Sequence, residues 1–124
     1  MRMNINVEEL AHEDPLKILD GKETVVWANG KYSDLFGKTI REYLSQNNFK
    51  KIGGGTSKDG FSEMYSREGS FIYCETRLTG EKNENENRIE LKVDADSLDN
   101  ILDITKYMIE KFNPNINKYI KINN

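Results

Sequence analysis

The sequence predicts an α+β fold, an antiparallel sheet of three to five strands packed against two amphipathic helices, in one compact domain over residues 1–124. Three observations carry this reading. Arg88 to Asp94 alternates polar and apolar side chains without a break, the period of a strand with one wet face. Leu98, Ile101, Leu102, Thr105, Met108, Ile109 and Phe112 recur at the three-and-four spacing of a helix with one buried stripe. The apolar runs before the alternating segment are separated by short glycine-containing turns, so consecutive strands pair antiparallel.

Taken in order, Asn6 to His12 reads as a helical turn stopped at Asp14-Pro15. Leu16 to Leu19 and Glu23 to Ala28 then form a hairpin around Asp20-Gly21. A helix runs from Ser33 as N-cap to about Asn47, with Phe36, Ile40, Tyr43 and Leu44 inward and Lys38 and Arg41 outward. Phe49 to Ile52 is a further short strand, and the glycine run that follows, 53–58, is a flexible turn. Phe61 to Ser66 and Ser70 to Leu78 are strands joined tightly through Arg67-Glu68-Gly69. Residues 79–87 make a polar hairpin loop before the alternating strand. The last helix starts at Asp94, Asp96 or Ser97 and stops at Asn113-Pro114, and Asn115 to Ile122 packs as a short strand or helix.

Composition narrows the function. The chain has 124 residues, 36% hydrophobic and 31% charged, with mean hydropathy -0.75. A domain of this size buries roughly two-thirds of its unfolded surface and needs no metal or disulfide to fold. No window approaches the roughly 18–20 apolar residues of a spanning helix, and the start of the chain has no apolar signal region. With a single cysteine, Cys74, these features predict a soluble protein of the reducing cytoplasm, its thiol in the core on the strand side of Ile72.

Candidate chemistry is thin. Gly53-Gly54-Gly55-Thr56-Ser57-Lys58 lacks the spacing of a phosphate-binding loop and is followed by a strand rather than a helix. His12, the one histidine, has only Glu13 and Asp14 beside it and no second ligand cluster. Twenty-one acids give no preferred pair for acid-base work. The helix, strands, helix order is similar to that of double-stranded RNA-binding domains, whose second helix opens with lysines that meet phosphate. Here that stretch is Asp94-Ala95-Asp96-Ser97-Leu98-Asp99, which repels a polyanion. The sequence therefore predicts no catalytic residue, no metal, no cofactor, no nucleic-acid ligand and no membrane association.

What remains is charge and aromatic content. Residues 80–103 hold three bases against eight acids, and residues 38–58 hold five bases against one acid. The acidic block predicts a basic protein partner, steered by Glu81, Glu84, Glu86, Asp94, Asp96 and Asp99. Phe71, Tyr73, Glu75 and Arg77 share one strand face, and Phe61, Glu63 and Tyr65 share one on the neighbouring strand; if this face is open, Tyr65 and Tyr73 are the expected anchors, and the competing reading is that the N-terminal hairpin with Trp27 covers it as core. The expected function is a non-catalytic binding module of the inhibitor or immunity kind, neutralising a bacterial toxin such as a nuclease by occlusion. The alternative is a small ligand-binding or enzymatic domain with its site between sheet and helices.

Overall fold

The computed structural model describes residues 1–6, 31–57, 60–78 and 89–123. In chain order these form β1 (Arg2–Asn6), α1 (Lys31–Gln46), β2 (Lys50–Ser57), β3 (Gly60–Arg67), β4 (Ser70–Leu78), β5 (Ile89–Ala95) and α2 (Leu98–Lys111). A 3-10 turn (Pro114–Tyr119) and β6 (Ile120–Asn123) follow. The strands make a six-stranded sheet in the order β2-β3-β4-β5-β1-β6, antiparallel at every junction. The α+β class and antiparallel sheet are as the sequence predicts, and the strand count exceeds the expected three to five. The expected turn at 6–12, the hairpin at 16–28 and the loop at 79–87 fall outside the described residues, as does His12.

The additional strands are β1 and β6. Met3 and Ile5 alternate with Arg2, Asn4 and Asn6, a period of two that is too short at a chain start to stand out. Both apolar side chains are completely buried, and β1 sits between β5 and β6. The tail is both predicted elements in succession. Asn113 accepts a hydrogen bond from the Asn115 amide at 2.9 Å to cap the 3-10 turn, and the chain then extends into β6.

Both helices lie on one face of the sheet. That face collects Met3, Ile5, Phe61, Tyr65, Ile72, Cys74, Leu91, Val93 and Ala95, all buried and brought together by registers such as Met3↔Val93 and Tyr65↔Ile72. Against it α1 sets Phe36, Ile40 and Leu44, and α2 sets Ile101, Ile104 and Met108. The helices meet through an edge-to-face contact of Phe36 with Phe112, ring centroids 5.0 Å apart, and through Tyr43 and Tyr107, also at 5.0 Å.

Three local features position these elements. Asn48, at φ 65°, closes α1: the Phe49 amide bonds to the Leu44 carbonyl at 2.9 Å and the Asn48 amide to the Ser45 carbonyl at 3.3 Å. This is a Schellman ending, and the accompanying apolar contact is supplied by buried Leu44 and Phe49. Glu68 and Gly69, at φ 49° and 84°, form the two-residue turn between β3 and β4. Gly37 lets α1 approach β3 closely, because a Cβ there would stand 2.4 Å from the Phe61 ring.

Three expectations need correction. Helix α1 begins two residues before Ser33, which lies inside it rather than capping it. Arg41 is not directed outward: its guanidinium lies 4.3 Å from the Phe61 ring centroid and reaches Glu63. The run Gly53-Gly54-Gly55 is not a flexible turn but the middle of β2, paired with Met64, Glu63 and Ser62 after a bulge at Ile52.

Candidate functional site

The sequence expectation set Tyr65 and Tyr73 together as exposed anchors, and the register separates them. Strand β3 pairs with β4 through Arg67↔Ser70, Tyr65↔Ile72 and Glu63↔Cys74. Directly opposed residues of an antiparallel pair share a face. Tyr65 therefore joins Ile72 under the helices and is buried, whereas Tyr73 joins Met64 on the other face. Counting back from the two-residue turn was the signal that could have shown this.

On the helix face the most polar group is Glu63, 3% exposed. Lys51 Nζ lies 2.8 Å from its Oε2, and Arg41 Nη1 lies 3.5 Å from its Oε1. Two cations thus compensate one buried carboxylate, tying α1 and β2 to β3. Burial, and secondarily the Glu63 carboxylate, push the Tyr65 hydroxyl up to about 12. The same two causes in the same order raise the Cys74 thiol to about 12. A protonated thiol that is completely buried is no nucleophile, and this cluster reads as a structural bracket.

The opposite face carries a hydrogen-bonded row. Ser62, Glu75, Lys92, Asn4 and Lys121 stand directly across from one another on β3, β4, β5, β1 and β6. The Tyr73 hydroxyl lies 2.6 Å from Ser62 Oγ and donates to Glu75 Oε2 at 2.9 Å, and Lys92 Nζ stands 3.3 Å from Glu75 Oε1. Asn4 Oδ1, buried beside Lys92 in that row, has no hydrogen-bond partner. Arg2 and Asp94, in the next row, pair at 2.8 Å.

The predicted acidic contributors divide accordingly. Asp94 is engaged by Arg2, and Asp96 Oδ2 accepts from the Phe71 amide at 3.1 Å, so both have structural duties. Asp99 is exposed in the first turn of α2, where its charge also suits the helix N-terminus. Glu81, Glu84 and Glu86 lie outside the described residues.

Sequence reasoning missed the apolar part of this surface. It placed Leu98 and Leu102 in the buried stripe of α2, yet they are 42% and 47% exposed, and the buried positions are Ile101, Ile104, Thr105 and Met108. Phe71, 48% exposed, lies instead on the opposite face of the sheet with Tyr73; its amide donates to Asp96 Oδ2 and its carbonyl accepts from the Asp96 amide. Leu98 and Leu102 are one helical turn apart, and Asp96, Asp99 and Asp103, all exposed, interleave with them.

A separate cleft of about 330 Å³ opens beside the β3–β4 turn, lined by Asn48, Lys50, Ser66, Arg67 and Glu68. Arg67 is fixed there by the Asn47 carbonyl at 2.9 Å and by the Phe49 ring at 4.1 Å. Among the described residues no three metal-ligating side chains converge. No described helix is long and apolar enough to cross a membrane. No family model, characterised protein or solved structure matches this chain.

Proposed function

We propose that this chain is a protein-binding module that occludes a basic protein partner, a toxin nuclease domain being the partner class that fits. The observation that carries the reading is the outer flank of α2, where exposed Leu98 and Leu102 stand one turn apart beside exposed Asp99 and Asp103. Clustered large apolar side chains on a surface cost hydration free energy that burial against a partner recovers. Acidic groups around such anchors favour a basic partner and speed its approach, while the apolar groups hold the complex together. The alternative of a ligand site between sheet and helices has less support, because Glu63, Tyr65 and Cys74 are packed there without open polar groups.

The test is to co-express the chain with the protein encoded by the adjacent reading frame and to measure association of the purified pair at two ionic strengths. Asp99→Lys with Asp103→Lys should slow association, an effect that shrinks as salt screens the charges over about 8 Å at physiological strength. Leu102→Asp should instead raise the dissociation rate tenfold or more. Unchanged rates for both variants, with folding intact, would overturn this surface as the interface.

A further inference from the structure

The sheet has two edges, β6 with 4 residues and β2 with 8. An edge strand presents unpaired N–H and C=O groups, and folds ordinarily shorten or cover it. Strand β6 is short. Strand β2 is long, and among the described residues nothing pairs with its outer side, every residue from Lys50 to Thr56 being exposed. Its bulge lies at Ile52, and from Gly53 to Ser57 its inner side runs in continuous register with β3.

The fold accounts for one of the three glycines in that run. Gly54 has φ 88°, and a Cβ there would fall 2.0 Å from the Ser62 carbonyl oxygen. Gly53 and Gly55 have ordinary backbone angles, and a Cβ on either would meet nothing within 4 Å. Glycine weakens a strand interior through chain entropy and lost side-chain contacts. Where the fold has room for a side chain, two such glycines leave the edge accessible to close approach by another backbone.

Charge and shape at the same edge point to what approaches. Lys50 is exposed at the start of the strand, and the segment 38–58 holds five bases against one acid in a chain of net charge -3, Arg41 and Lys51 among them being paired with Glu63. Where β2 begins, Lys50 lines the 330 Å³ cleft together with Arg67.

We propose that the outer edge of β2 is a second docking surface, which takes an extended segment of a protein partner as an added strand. Main-chain hydrogen bonds along Gly53 to Thr56 supply affinity, and exposed Lys50 selects an acidic side chain on the segment. A second copy of this chain fits less well. Pairing β2 with itself sets glycine against glycine, where no side chains meet, and brings two lysine-bearing edges together. This proposal does not depend on the acidic surface of α2.

The test is selection of binders from a phage library of random ten-residue peptides, on the wild-type chain and on the double variant Gly53→Asp, Gly55→Asp. The variant has space for both side chains, and thermal unfolding checks that it folds. Enriched peptides should be acidic, should protect amides within residues 53–57 from hydrogen exchange, and should bind the variant at least tenfold more weakly. Failure to enrich any peptide, enrichment of basic peptides, or equal binding to the variant would overturn the proposal. A wild-type dimer in sedimentation that the variant abolishes would replace it with self-association.

Discussion

At the scale of single residues, backbone geometry separates glycines that composition alone makes equivalent. Gly54→Ala forces a Cβ against the Ser62 carbonyl in a left-handed conformation, and should cost about 2 kcal/mol or more. Gly53→Ala meets open space at an ordinary φ and should stabilise the fold by about 0.4–1 kcal/mol. Urea denaturation of the two variants checks both, and equal effects would mean that Gly54 does not hold a left-handed conformation against Ser62. The β3–β4 turn offers a parallel test. Glu68 holds φ 49° in a turn that favours asparagine before glycine, so Glu68→Asn should add about 0.5–1 kcal/mol. A loss of stability would argue against that turn type. Residue identity made the turn legible, since Arg67-Glu68-Gly69 was read as tight, but the consequence for Tyr65 required register. Parity along one strand says which side chains share a face, and only the pairing says which face it is.

At the scale of elements, what was legible followed the strength of the periodic signal. Strand β5 alternates cleanly and lies where predicted, with Leu91 and Val93 completely buried. Strand β2 was obscured because glycine favours turns, and in isolation Gly53 to Ser57 carries no strand signal; only pairing with β3 extends it. Helix α2 was legible as a helix and misread by less than a quarter turn. Seven apolar positions define a stripe wider than the sheet can cover, so one flank, Leu98 and Leu102, remains outside while Ile104 goes in. The two flanks give opposite expectations. Ile104→Ala should cost about 2–5 kcal/mol, as for a fully buried aliphatic side chain, whereas Leu102→Ala should change stability by no more than about 0.5 kcal/mol. Chemical denaturation with a large loss at Leu102 and none at Ile104 would rotate the helix back to the sequence-based assignment.

At the scale of the whole molecule, the packing of sheet against helices sets how folding responds to alkali. Burial comes first among the causes that raise Cys74 from 9.0 and Tyr65 from 10.0, each to about 12, and the Glu63 carboxylate between them adds to both. Tyr43 is raised as well, by burial and then by Asp103. A group with a higher pKa in the folded chain keeps its proton there while the unfolded chain has already released it. Over that interval the unfolded state binds fewer protons, so stability falls as pH rises. The window opens near pH 9 with the thiol and is joined near pH 10 by the tyrosines, and well below pH 8 these groups stay protonated in both states and the dependence vanishes. For Cys74, which stays protonated in the folded state through pH 10, linkage gives a loss of about 1.4 kcal/mol between pH 8 and pH 10. Cys74→Ala removes that pH dependence whatever its own effect on stability at pH 8. Urea denaturation at pH 8, 9 and 10 should show the wild-type chain losing about 1.4 kcal/mol more than the variant across the interval. Parallel curves for the two proteins would mean that the thiol ionises as readily folded as unfolded, and that the layer joining β3, β4 and the helices is open to water.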